Sequence, residues 1–233
     1  MDLVFDGMLQ AFRLLARGDA EVMGIMWLSL KVSGIATVLS LVIGLPVGTV
    51  LGLRRFRGRN LVLGVTNSGM GLPPVVVGLF VSIALWRSGP LGFLDLIYTP
   101  SAIVAAQFII AAPVVAGLTT AAMQQLDPRL LLQLQGLGAS RLQALGWLLW
   151  EARFSLLAAV MAGFGAVISE VGASMMVGGN ILHYTRVMTT ATVLETTKGN
   201  FDIAIALSVI LLTLTFAITM AITLFQQRGI DRP

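Results

Sequence analysis

Cysteine is absent from the sequence, which excludes a disulfide framework and any thiolate metal site, so the redox compartment leaves no mark. Charge is scarce: Asp, Glu, Lys and Arg make up 11% of the 233 residues, against roughly a quarter in an ordinary soluble domain. Lysine occurs only as Lys31, after Leu30, and Lys198, after Thr197, so no G-x-x-x-x-G-K-[ST] phosphate loop exists. The sole histidine is His183, and no H-E-x-x-H helix is present, which leaves nothing with which to build a zinc hydrolase. Basic residues exceed acidic ones, 15 against 11, for a net charge of +4. No basic run is interleaved with aromatics, however, and nucleic-acid binding is excluded.

What the sequence has in abundance is apolar surface: 57% of residues are hydrophobic and the mean hydropathy is +0.91. This is the composition of an all-α, polytopic protein embedded in a lipid bilayer. A membrane-spanning helix needs about 20 mostly apolar residues. Five segments qualify, at Met26–Leu53, Leu61–Trp86, Ser101–Leu126, Phe154–Val177 and Phe201–Phe225. Arg54, Arg55, Arg57, Arg59, Arg129, Arg141, Arg153, Arg228 and Arg232 flank these spans on one side. Arg13, Arg17, Arg87, Arg186 and Lys198 flank the other, with Lys31 near that end of the first span. Basic residues accumulate in cytoplasmic loops. The arginine-rich side is therefore expected to be cytoplasmic, with the N-terminus outside and the C-terminus inside, in a single transmembrane domain over residues 1–233.

Asp2 and Asp6 stand where a signal peptide would carry its basic region, so a cleavable leader is not expected. Phe5, Met8, Phe12 and Leu15 follow helical spacing opposite Asp6, Gln10, Arg13 and Arg17. That pattern predicts a helix lying in the outer interface, with a frayed leader as the alternative. Pro46, the pair Pro73-Pro74 and Pro113 each remove a helical hydrogen bond and are expected to interrupt their spans. Such breaks are tolerated where protein or a water-lined cavity satisfies the freed backbone, so the second and third spans are expected to face a pathway or a partner. Small residues recur every four positions at Gly44, Gly48 and Gly52 and at Ala158, Ala162 and Ala166. Both series predict close helix packing, within or between chains.

The longer cytoplasmic loop, residues 127–153, carries helix signals of its own. Asp127 before Pro128 is an N-cap ahead of a proline at the first helical position. Gly136 and Gly138 then break the helix, and Ser140 with Gln143 forms an S-x-x-Q capping box that opens a second one through Leu142, Leu145 and Leu149. A mere connection needs only a few polar residues, so helix, glycine turn and helix together suggest a docking surface.

LGASRLQALGWLLWEARF within this loop resembles the cytoplasmic signature of binding-protein-dependent ABC transporter permeases, E-A-A-x3-G-x9-I-x-L-P. Gly138 stands as the central glycine and Leu148 at the I position. The E-A-A positions hold Leu132, Gln133 and Leu134, and the terminal proline is replaced by Glu151. GLPPVVVG at Gly71 to Gly78 and ISEVGASMMVGGNI at Ile168 to Ile181 are similar to segments of molybdate, sulfate and tungstate permeases. With RSGPLGF at Arg87 to Phe93 and TRVMTTATVLETTKGNF at Thr185 to Phe201, the chain is most similar to the tungstate type.

The resemblance implies a type I importer permease that works as a homodimer. It implies two cytoplasmic ATPase subunits that supply ATP and magnesium, none being held in this chain, and an extracytoplasmic oxyanion-binding protein. Coupling to the ATPase falls on Leu137, Gly138, Ala139, Ser140 and Arg141, where Gly138→Val is expected to crowd the turn.

Pore or gate candidates are the intramembrane polar and helix-breaking residues Thr66, Asn67, Ser68, Pro73, Pro74, Gln107, Ser169 and Glu170, with Asn180 beyond them. Each polar group also has a reading as a helix-packing hydrogen bond. Glu170 is a carboxylate at a depth where ionisable groups cost about 2.5–3.5 kcal/mol. It would repel an oxyanion, so a bond to a neighbouring helix or backbone is favoured over a protonated gate. The outer segment with Asn180, His183, Arg186 and Lys198 is expected to receive the anion or its carrier. A self-contained channel or secondary transporter is disfavoured by the lack of an inverted repeat. An intramembrane enzyme built on Ser174 is disfavoured because His183 falls outside the span.

Overall fold

A computed structural model describes residues 2–228; Arg232, among the charges read above, lies outside them. The described residues form eleven α-helices, one short 3-10 turn and no strand. In chain order these are α1 (Asp2–Arg17), α2 (Ala20–Leu53), α3 (Arg59–Met70), α4 (Pro74–Leu85), α5 (Pro100–Gln124), α6 (Pro128–Gly136), α7 (Arg141–Glu151), α8 (Arg153–Ile168), α9 (Gly172–Gly178), α10 (Met188–Thr197) and α11 (Phe201–Arg228).

Only α2, α5 and α11 are long and apolar enough to cross a membrane singly. The second expected span is a pair, α3 and α4, bent by 103° at Pro73-Pro74. Pro73 caps α4 and Pro74 opens it, the one place where a proline lacks no partner it would otherwise have had. The fourth expected span, Phe154–Val177, is not one helix. Helix α8 stops at Ile168 and α9 begins at Gly172, because the Glu170 side chain takes up the amide hydrogens that α9 would otherwise leave free. Helix α8 is instead joined to the loop helix α7 across a 68° bend.

Pro46 and Pro113 do not break their helices: both lie inside continuous α2 and α5. A single missing hydrogen bond is outweighed there by tertiary packing. At Pro113 the facing residue is Gly69, where an added methyl would come within 2.8 Å of the proline ring, so the ring is accommodated by α3.

Helices α2 and α5 form the central contact. A methyl group on Gly44 would reach 2.8 Å from Val115, and one on Gly48 would reach 2.6 Å from Thr119, so these glycines set how closely the two backbones approach. Thr120 Oγ1 donates to the Gly48 carbonyl at 3.3 Å across that contact. Within the chain, the buried face of α8 is one residue along from the alanine series. Ala159, Gly163 and Val167 are buried, with Gly163 against Val115, whereas Ala158 is exposed and Ala162 and Ala166 are half-buried.

One core gathers Val32, Val77, Val81, Ile103, Ala106, Ala173 and Val177 from α2, α4, α5 and α9. A second joins α1, α2, α10 and α11 through Ala11, Ile25, Met188 and Leu207. Helix α1 forms as expected, but its seat is α11, with Gly7 against Ile205 and Ala11 buried. Phe5, Met8, Phe12 and Leu15 remain exposed, as do Val42, Phe80, Leu212 and Phe216 elsewhere. Large exposed apolar side chains on this scale suit lipid and would not suit water.

Candidate functional site

The loop of residues 127–153 folds as its capping signals dictate. Asp127 Oδ1 accepts from the Arg129 amide at 2.8 Å, with Pro128 at the first helical position of α6. The helix ends at Gly136, and Gly138 turns the chain with a φ of +85°, in the left-handed region that favours glycine. The Ser140 amide donates to Gln143 Oε1 at 2.8 Å, and the Gln143 amide donates to Ser140 Oγ at 3.4 Å, which closes the capping box. Helix α7 anchors itself through Ala144 and Leu148, both buried. Leu137 at 86% exposure and Leu142 at 81% point away from the rest of the chain. Leu137, Gly138, Ser140 and Arg141 are exposed and Ala139 half-buried, so the expected coupling residues form one projecting turn. An added methyl at Gly138 meets nothing within 4 Å. The crowding expected of Gly138→Val therefore does not arise within the chain; backbone strain does.

A groove of about 700 Å³ lies between α2, α3 and α5, beside the 103° bend. Thr66, Ser68, Gly69 and Pro113 line it among apolar residues such as Val47 and Ile109. Asn67, Pro73 and Pro74 are exposed but do not line it. Thr66 and Ser68 are thus brought together, and Asn67 is not.

The remaining candidates are elsewhere, and two of them belong to a buried knot. Glu170, 5% exposed, accepts from the Ala173 amide at 2.7 Å through Oε1 and from the Ser174 amide and hydroxyl at 2.9 Å each through Oε2. Its own carbonyl accepts from Thr189 Oγ1 of α10 at 2.9 Å. Gln107, 2% exposed, donates from Nε2 to the Val167 carbonyl at 3.1 Å and to Ser174 Oγ at 3.5 Å. The knot ties α5, α8, α9 and α10 together, and the Glu170 carboxylate is used by backbone and hydroxyl donors. Ser169 is exposed and returns its hydroxyl to the Gly165 carbonyl. Asn180 sits in a turn at φ +51° and donates to the Thr190 carbonyl at 3.4 Å.

On the expected outer side, two cations are paired with carboxylates. Arg186 lies 3.6 Å from Glu21 and Lys198 lies 2.7 Å from Glu195. These groups edge a mixed-charge pocket of about 440 Å³ together with Asp19 and Gln10. The Glu195 carboxyl is held below its ordinary range, first by the hydrogen bond from Asn200 and then by Lys198. His183 is exposed in a turn.

Sequence reasoning missed Ser174 and Thr189 as the partners of Glu170. Ser174, four residues on from a buried acid, was the available signal. It also missed Arg153, whose guanidinium lies over Trp150 and Phe154.

The fold is that of an all-helical membrane protein with a proline-bent helix pair beside a groove and a capped two-helix loop. The chain belongs to the family of binding-protein-dependent transport system inner membrane components, which it matches over residues 44–232. It is therefore an inner-membrane transport subunit and not an enzyme. It is 38% identical to the tungstate uptake system permease protein TupB of Peptoclostridium acidaminophilum, over 97% of this chain and 100% of that protein. A probable anion ABC transporter permease protein of Haloferax volcanii is 39% identical over 86% of this chain and 88% of its own length. The fold is that of a chain of the MetNI methionine ABC transporter in an inward facing conformation, with a TM-score of 0.74 at 21% identity, covering 91% of this chain and 96% of that one.

Proposed function

We infer that this chain forms the translocation pathway of an ATP-driven oxyanion importer, and that the oxyanion is tungstate. The observation that carries the reading is full-length similarity to a tungstate uptake permease. In this reading two copies pair around a two-fold axis, since one set of spans encloses little by itself. Two ATPase subunits bind ATP and magnesium in the cytoplasm and dock on the turn Leu137 to Arg141. An oxyanion-binding protein delivers the substrate outside. The N-terminus is outside and the C-terminus cytoplasmic, an orientation supported by the arginines that accompany the coupling loop.

Mechanistically, closure of the ATPases moves the projecting turn, and the bent pair α3 and α4 beside the groove opens alternately to either side. Small hydroxyl groups such as Thr66 and Ser68 give an anion weak, releasable contacts, as a transporter requires. The Glu170 carboxylate, buried and engaged by three donors, holds the helices and does not meet the anion. The test is energised uptake of labelled tungstate by cells with and without this chain, in the presence of excess molybdate or sulfate. Uptake that disappears with the chain and resists both competitors is the expected result. Uptake indifferent to the chain sinks the tungstate assignment, and uptake abolished by molybdate or sulfate moves the assignment to that anion.

A further inference from the structure

The joint between α7 and α8 turns by 68° at Ala152, whose φ of −78° and ψ of 0° interrupt the helix. Proline commonly stiffens such a bend by fixing φ and removing a donor. Here the position where the family signature carries proline is Glu151.

Arg153 supplies another means. Its guanidinium carbon stands 4.7 Å from the centroid of Trp150, the last turn of α7, and 4.3 Å from that of Phe154, the first turn of α8. One planar cation thus contacts an aromatic ring on each side of the bend, a geometry that is attractive for both rings. Its Nη1 also donates to the Trp150 carbonyl at 2.8 Å, in the last turn of α7. Leu148 in the last turns of α7 and Ala152 at the joint are buried, at 2% and 5% exposure. From α11, Gln226 Nε2 donates to the Phe154 carbonyl at 3.1 Å, so the joint is tied to a second span.

We propose that Arg153 is a positioning residue that fixes the angle between the coupling helix α7 and the span α8, and so determines how much of a movement at the turn Leu137 to Arg141 reaches the membrane passage. The proposal rests on the permease reading. Without the clamp, α7 pivots at Ala152, and ATP is hydrolysed with less transport.

The experiment uses the whole transporter, with its ATPase and binding protein, in proteoliposomes. Tungstate imported per ATP hydrolysed is measured for Arg153→Ala and for Trp150→Leu, a residue 60% exposed and so outside the core. Spin labels at the exposed positions Leu142 and Ala158 report the angle between α7 and α8 independently of activity. Both variants are expected to assemble and hydrolyse ATP, to lose about tenfold in transport per ATP for Arg153→Ala and less for Trp150→Leu, and to broaden the label distance. A wild-type ratio with a wild-type distance distribution in either variant overturns the proposal. Should Arg153→Ala fail to assemble, Trp150→Leu decides. Absence of ATP-driven tungstate uptake by the unaltered protein overturns the tungstate assignment instead, and the label distances then judge the joint by themselves.

Discussion

Ser174 gives both its amide and its hydroxyl to the same oxygen of Glu170, at 2.9 Å each, four residues apart and almost fully buried. This is how an acid is retained within a span of a lipid-embedded chain. The break between α8 and α9 exposes backbone donors that only an acceptor with several lone pairs can satisfy.

Glu170→Gln keeps the shape but presents one oxygen and an amide group where two oxygens accept three donors. It is expected to lower stability by about 1–3 kcal/mol, the cost of leaving a buried donor unmet. Thermal unfolding of the purified protein in detergent measures it. Melting and uptake equal to the unaltered protein would show that the second oxygen is not needed.

Gly138 has φ +85° with open space around it. Side chains other than Asn and Asp lose roughly 1–2 kcal/mol in that conformation. Gly138→Asn is therefore expected to retain more ATP-coupled uptake than Gly138→Val. Equal loss in both would place the cause in contact with the ATPase rather than in the backbone.

Gly48 and Gly34 lie on the same helix with opposite surroundings. A methyl at Gly48 collides with Thr119, and one at Gly34 meets nothing within 4 Å. Gly48→Val is expected to cost about 1–3 kcal/mol by overpacking, while Gly34→Val leaves the melting temperature nearly unchanged. Similar melting of the two variants would contradict the close α2 and α5 contact.

Glu195 joins α10 to the start of α11 by accepting from Asn200 and Lys198 at 2.7 Å each. Because its folded pKa is lowered, its stabilising contribution is complete above the ordinary glutamate value and disappears as pH falls through the folded one. The stability gap between the unaltered protein and Glu195→Gln is thus expected at neutral pH and should close in acid. A gap that persists unchanged in acid would assign it to shape rather than charge.

Local chemistry was legible in advance. Asp127 with Pro128, and Ser140 with Gln143, cap their helices as their spacing demands, because a cap needs only residues within one turn. The series Gly44, Gly48 and Gly52 likewise marks a true contact, since a methyl at each would meet residues of α5. In α8 two such series run side by side, Ala158 with Ala162 and Ala159 with Gly163, and only the position of Val115 on α5 selects the second. Pro46 and Pro113 misled for the same reason: whether a lost hydrogen bond breaks a helix depends on what packs around it.

By itself the sequence determined the membrane setting, the arginine asymmetry, the lack of a phosphate loop and the capped loop with its glycine turn, all properties of composition or of neighbouring residues. Tertiary structure alone decided that Pro73-Pro74 bends a span by 103°, that Glu170 spends its charge on Ala173 and Ser174, and that Arg153 lies across two rings at the joint. Those outcomes depend on the directions of side chains about a fold, and composition and spacing carry no such directions.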